Sequence, residues 1–313
     1  MNRRHFLQAT LATSTLLTTA SVWAEPKAKI QIYVFSKQLQ WADSYQHMAE
    51  IAAEIGFDGI DLTVRPGGHV LPERVTDDLP KAHEAIRKAG LALPMIVTHL
   101  TKADSEAENI LKTAASLGVR YYRTGNYYYK PQTDILSQLK QFNISLKELS
   151  LLSQKYKIAG CYQNHASIPP TFYVGAAIWD LKELLTGINP DWMGVQYDIN
   201  HATAEGGDNW PINLQLIAPY VRTFDIKDFY WDRKEGKRFK HHCALGEGTV
   251  DFKTYLPLAK KYQFTGPVSM HFEQSLGGAE NGNRTLTIDK KEVIAAMKKD
   301  LHTLRTWLSD NGF

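Results

Sequence analysis

Two cysteines in 313 residues cannot build a disulfide-stapled scaffold, so an apolar core must hold this chain together. Cys161 falls in a run of buried-strand character, where an inert packed thiol is the usual state, and this weakens the case for a bond to Cys243. Long hydrophobic runs are missing as well. No stretch of about 18 apolar residues occurs in the body of the chain, which excludes a membrane span there. Charge of one sign is nearly absent: 36 Lys and Arg stand against 33 Asp and Glu, a formal +3. That excess is too thin for a nucleic-acid-binding surface. The turn after the first β-rich run, Val34-Phe35-Ser36-Lys37, contains no glycine and so lacks the phosphate cradle of a dinucleotide-binding fold.

What is present is ordinary globular material, 43% hydrophobic and 22% charged, enough for a large core. Residues 1–24 read as a targeting peptide: Arg3 and Arg4 form a charged start, an Ala- and Thr-rich weakly apolar stretch follows, and Val22-Trp23-Ala24 offers small residues for cleavage. The string Asn2-Arg3-Arg4-His5-Phe6-Leu7-Gln8 resembles the bacterial twin-arginine export signal, an ordinary secretory signal being the alternative. Either route predicts a mature chain of residues 25–313 in the periplasm. Losing two Arg and no acid leaves 34 cations against 33 anions, or +1, which argues further against a polyanionic partner.

From residue 25 onward one pattern repeats. β-rich runs at 30–35, 59–64, 91–98, 119–124, 158–165, 193–199, 221–228 and 268–273 alternate with amphipathic stretches at 45–55, 79–89, 107–117, 135–156, 179–185, 212–217, 252–262 and 293–308. Glycines such as Gly56, Gly90 and Gly118 fall where a helix should end and the next strand begin. Eight βα units without a change in composition predict an α/β protein with a single (β/α)8 barrel; an open doubly wound sheet is the structural alternative.

Barrel chemistry sits at the C-terminal ends of the strands, and inward-facing residues there are spaced two apart. The sequence satisfies this test in seven units. Strand two ends Asp61, Thr63, Arg65 and runs into Gly67-Gly68-His69; strand three ends at His99, and strand four gives Arg123. Strand five ends Gln163, His165; strand six gives Gln196, Asp198 and then His201; strand seven gives Asp225, Lys227; strand eight gives His271, Glu273. A buried Asp198 must be paired, capping or ligating, because an isolated charge there is costly. Lys227 is either an ion-pair partner of Asp225 or the group that steadies an enediolate. Arg65 and His69 are loop residues suited to substrate contact, a solvated turn being the other reading. The 232–242 excursion reads as a charged loop, with His241-His242 on the surface, and Gly246-Glu247-Gly248 as a tight turn.

Several strings, taken in order, resemble the xylose-isomerase-like sugar isomerase/epimerase family of TIM barrels over nearly all of residues 25–313. They are Gly59-Ile60-Asp61-Leu62-Thr63-Val64-Arg65-Pro66-Gly67-Gly68-His69-Val70, Tyr162-Gln163-Asn164-His165, Tyr197-Asp198-Ile199-Asn200-His201-Ala202, Ile226-Lys227-Asp228, Leu245-Gly246-Glu247-Gly248 and His271-Phe272-Glu273. The resemblance implies one divalent ion held by residues on strands five to eight, with a substrate-binding His three residues after the strand-six Asp. Carried over by position, Asp198 is the strand-six ligand and His201 the substrate His. The other three ligand positions fall on Gln163, Asp225 and His271, where the family commonly has Glu, His and Glu. Gln163 removes one carboxylate of the paired acid and base that such epimerases use. The four residues still compose a mixed N/O site for Mn2+, Mg2+ or Zn2+.

The expectation is therefore an exported enzyme that abstracts a proton next to the carbonyl of a non-phosphorylated sugar, keto-sugars included. Glu273 or His165 is the base, Lys227 the proton donor or oxyanion partner, and Arg65, His69, His99, Arg123, Asn164 and His201 contact a small carbohydrate. Isomerisation, epimerisation and β-elimination all pass through the same enediolate. Two other readings are a non-catalytic periplasmic carbohydrate-binding protein and an endonuclease IV-like metal nuclease. The near-neutral charge disfavours the nuclease.

Overall fold

A computed structural model describes residues 29–313. The export segment expected at 1–24 lies outside the described residues. Eight parallel strands close into a barrel in sequence order: Ile32–Phe35, Gly59–Thr63, Ala92–Val97, Tyr121–Arg123, Ala159–Gln163, Met193–Asp198, Val221–Ile226 and Val268–Met270. They are called strands one to eight below. The helices α1 (Tyr45–Ile55), α2 (Val75–Lys88), α3 (Ser105–Ser116), α4 (Ile135–Tyr156), α5 (Ile178–Leu184), α6 (Ile199–Gly206), α7 (Trp210–Ile217), α8 (Phe252–Lys261) and α9 (Lys290–Asp310) surround it.

Local chemistry sets the alternation. Side-chain caps start the helices: Ser44 accepts the His47 N–H, Asp104 that of Ala107 and Asp251 that of Thr254. Gly56, at φ 103°, closes α1 in a left-handed turn that turns the chain towards strand two. Gly266 is demanded by contact, since a Cβ there would lie 1.7 Å from the Arg222 carbonyl oxygen where strands seven and eight approach. The strands themselves are buried almost throughout, as parallel strands covered by helices must be. Cys161 is buried, Cys243 half-buried, and both are free thiols.

Three expectations need correction. Strand eight stops at Met270, so His271 and Glu273 stand on the segment beyond it; the His271 N–H still bonds to the Ile226 carbonyl at 3.0 Å. Unit six carries two helices, α6 and α7, because Asp198 caps a new helix directly from the strand end. The 232–242 segment is not a loop. Asp228–Lys234 and Lys237–Cys243 pair as an antiparallel hairpin that rises from the end of strand seven. Its two-residue turn, Glu235-Gly236, has φ 52° and 74°, the double positive φ that matches the twist of a hairpin.

Candidate active site

The C-terminal mouth gathers a buried polar cluster whose placement follows from strand register. Asp198 and Asp225 are direct partners across strands six and seven, and Gln163 pairs with Gln196 across strands five and six. The Asp198, Asp225 and His271 side chains are buried. One donor atom from each lies within 4.8 Å of the others. Gln163 Nε2 donates to Asp198 Oδ2 at 3.1 Å and to Asp225 Oδ2 at 2.6 Å, while its Oε1 accepts from Arg123 Nη1 at 3.1 Å. Gln196 Nε2 donates to Asp225 Oδ1 at 2.5 Å. Lys227 Nζ lies 3.1 Å from Asp198 Oδ2 and 3.4 Å from Glu273 Oε1, and donates to His201 Nε2 at 3.0 Å. Two carboxylates too costly to bury alone are thus met by one ammonium and two amides.

The charges follow from this packing. Burial opposes the Lys227 charge, but Asp198, Glu273 and Asp225 outweigh it and push its pKa up. Burial would raise Glu273 too, yet Lys227, Lys37 and His242 hold its carboxyl well below the usual range. His165 moves the other way: burial and the Lys227 charge push it down to about 3, so the ring is neutral. Its Nδ1 faces the Ala166 carbonyl at 2.8 Å, which places the proton on Nδ1 and leaves the lone pair on Nε2. The ring is held between His201 and Tyr173, at centroid distances of 3.9 and 4.2 Å.

The site residues expected from the sequence divide into three groups. Gln163, Asp198, Asp225, His271, Lys227, His201, His165, Glu273 and Arg123 meet at the centre or touch a residue that does. Arg65 and His99 stand at the rim, lining a recess with Lys37 and Gln40. His99 Nε2 is 2.8 Å from Glu106 Oε1. Two others are taken up by the fold. Asn164 bonds at both ends of its amide to the backbone of Asp198, at 2.9 and 2.8 Å, so it braces strand six. His69 turns under its own loop, with Nδ1 3.0 Å from Thr63 Oγ1, and burial lowers its pKa to about 4. Gln163 also departs from expectation as a metal ligand, because its amide N–H, not its oxygen, faces the two carboxylates.

Three site residues escaped the sequence reading. Lys37 lies 3.8 Å from Glu273 Oε1; Lys240 approaches His201 Nδ1 at 3.4 Å; and His242 Nε2 is 3.3 Å from Glu273 Oε2. His242 therefore is not a surface residue in the sense expected. The signal for the last two was available. In a strand, Lys240 and His242 share a face and His241 takes the other.

The donor set suits a divalent ion. His271 Nε2 is buried and lies 3.3 Å from Asp225 Oδ1, yet it makes no hydrogen bond, so a ring nitrogen is left unsatisfied beside two carboxylates. Among the described residues this is the one cluster of at least three metal-ligating side chains.

A Haemophilus influenzae protein provisionally named L-ribulose-5-phosphate 3-epimerase SgbU is 21% identical over 256 residues, covering 76% of this chain and 87% of that one. The crystal structure of the IolI protein with a bound zinc atom superposes with a TM-score of 0.68 at 18% identity, over 90% of this chain and 99% of that one. The 3-keto-D-glucoside 4-epimerase YcjR of E. coli gives 0.62 at 15% identity, over 89% and 100%. These structural likenesses show a shared fold. Residues 49–292 match the profile described as a xylose isomerase-like TIM barrel, and the chain belongs to that family.

Proposed function

We propose that this chain is a sugar isomerase or epimerase that works by proton transfer next to a carbonyl. The observation that carries the reading is the buried cluster of Asp198, Asp225 and His271, with the Lys227 ammonium and the neutral His165 beside it. The SgbU relative and the YcjR structure, both named as sugar epimerases, support the same class. Asp198, Asp225 and His271 would hold one divalent ion, which supplies Lewis-acid polarisation of a carbonyl and its neighbouring hydroxyl.

The protein side chains then divide the remaining work. His165 presents an unprotonated Nε2 and takes the proton. The Glu273 carboxylate is instead engaged by two ammonium groups, Lys37 and Lys227. Its role is to fix Lys227. Lys227 places a positive charge beside His201 and Asp198, where an enediolate oxygen needs one. The near-neutral charge and the lack of a second metal cluster among the described residues do not favour the nuclease reading.

Export completes the proposal. The twin-arginine-like residues would deliver 25–313, a single catalytic barrel, to the periplasm, and a non-phosphorylated sugar suits that compartment. Replacing Arg3 and Arg4 by lysines should retain the protein in the cytoplasm if that route is used.

The deciding experiment is exchange of carbon-bound hydrogen with D2O, followed by proton NMR, over a panel of keto-sugars with and without chelator. Exchange is expected in the parent, and His165→Gln should slow it roughly 100-fold or more. Exchange at the parent rate in His165→Gln, with loss in Glu273→Gln, would return the base role to Glu273. A parent protein that binds sugars without any exchange would be a carbohydrate-binding protein instead.

A further inference from the structure

Beside the central cluster lies a recess of about 390 Å3 lined by Lys37, Gln40, Arg65, Pro66, Gly67, His99, Asn281 and Gly282. Two cations, an imidazole and two amides face it, and no carboxylate does. Its positive charge is larger than the lining alone suggests. The Arg123 guanidinium carbon is 4.9 Å from the centre of the Phe35 ring, that of Arg65 5.5 Å, and Lys37 Nζ 5.9 Å.

These cations are only partly compensated. Among the described residues neither Arg65 nor Arg123 forms a direct ion pair with a carboxylate; the buried Asp61 acts on both from further away, Arg123 has the neutral oxygen of Gln163, and Lys37 has Glu273 at 3.8 Å. Arg123 is nonetheless buried, and His99 Nδ1 is a buried nitrogen without a partner. Stacking on one aromatic ring returns about 0.5–2 kcal/mol per cation, less than the desolvation of a guanidinium costs. Burial and the neighbouring Arg123, only partly opposed by Asp61, push the Arg65 pKa down to about 10. Such an arrangement is stable when an anion joins it.

Resting on the sugar-carbonyl reading above, we propose that the substrate is an acidic sugar, and that Arg65 and Lys37, backed by Arg123, hold its anionic group in this recess. The recess and the metal-ligating cluster meet across one side chain. Phe35 carries the cations, and His271 stacks on it at 4.5 Å. A hexose chain can therefore put a carbonyl at the cluster and a terminal anion at Arg65. A guanidinium meets both a carboxylate and a phosphate with paired hydrogen bonds, so the geometry assigns an oxyanion, and the source is distinguished by experiment.

Titration calorimetry at fixed ionic strength with D-glucuronate, D-glucose 6-phosphate and D-glucose tests this. At least one anionic sugar should bind roughly tenfold or more tighter than D-glucose, as expected for charge-assisted hydrogen bonds. Arg65→Gln and Lys37→Gln should each reduce the ratio of anionic-sugar affinity to D-glucose affinity. Tighter binding of D-glucuronate assigns a carboxylate; tighter binding of the 6-phosphate assigns a phosphate and overturns the non-phosphorylated substrate proposed above. Equal binding of charged and neutral sugars, no binding of either anion, or a preference that survives Arg65→Gln would overturn the proposal. Because binding is read without turnover, an anion preference in a protein that exchanges no hydrogen would count against the isomerase reading alone. Exchange of neutral keto-sugars without any anion preference would count against this inference alone.

Discussion

Lys227 sits among Asp198, Glu273 and His201 and supplies the positive charge that two buried acids require. It also occupies an oxygen, Asp198 Oδ2, that a metal ion would use. Lys227→Met keeps the length of the side chain and removes the charge, so it should cost about 3–5 kcal/mol of stability by leaving buried acids unpaired. Added Mn2+ should then raise the melting temperature of the variant more than that of the parent. Equal shifts would mean that lysine and ion do not share the site. Asp300 on α9 offers a pH test away from the mouth. It is buried, accepts from Gln274 Nε2 at 2.9 Å, and has its pKa raised to about 6 by that burial. An unfolded Asp titrates near 3.9, so between about pH 4 and 6 the folded state binds more protons than the unfolded one, and stability falls as pH rises through this window. Asp300→Asn cannot titrate. Urea unfolding should show the variant gaining on the parent by about 2 kcal/mol from pH 4 to pH 7, and a constant difference would show that Asp300 is not shifted.

At the scale of elements, the hairpin after strand seven decides which charges reach the centre. Asp228 anchors it: Oδ1 accepts the N–H groups of Phe229 and Val250, and Oδ2 those of Gly246 and Gly248, at 2.8–3.2 Å. The loop must come so close that a Cβ on Gly248 would lie 2.2 Å from Asp228 Oδ1. Asp228→Asn keeps the volume but replaces one acceptor oxygen by an N–H2 that faces other N–H groups. A loss of about 2–3 kcal/mol is expected, with faster hydrogen exchange at Gly246, Gly248 and Val250. Unchanged exchange there would mean the loop is held by something else. The sequence showed Lys227-Asp228 and Gly246-Glu247-Gly248 as separate strings, and the hairpin between them read as a loop because its strands are exposed and charged. Burial patterning, the main guide to a strand, is weak where the covered face is itself largely polar, as with Lys240 and His242 here.

For the whole molecule, closure of the barrel makes one metal-ligating cluster from Asp198, Asp225 and His271, residues up to 73 positions apart. Asp198→Ala and His271→Ala should each abolish retention of a divalent ion, read as metal content after dialysis of the folded protein. The aspartate change should also lower stability, by about 3–5 kcal/mol, because Lys227 loses a buried partner and Oδ1 no longer caps α6 through the His201 N–H at 3.0 Å. Full metal content in both variants would move the ion away from this cluster.

The sequence by itself determined the architecture. Eight apolar runs, eight amphipathic stretches and the polar residues at the run ends define a parallel barrel, because strand burial and helix amphipathicity are local patterns. It also put Asp198, Asp225, Lys227, His271 and Glu273 at the right edge. Only the tertiary structure decided what those residues do to one another. Asn164 and Gln163 are neighbours in the chain, yet one braces a backbone and the other bridges two carboxylates, since an amide takes its role from the groups that folding brings opposite it. The same holds for charge. Burial and Lys227, joined by Lys240, keep His165 neutral, and Lys227, joined by Lys37 and His242, keeps Glu273 ionised; these groups come from distant segments.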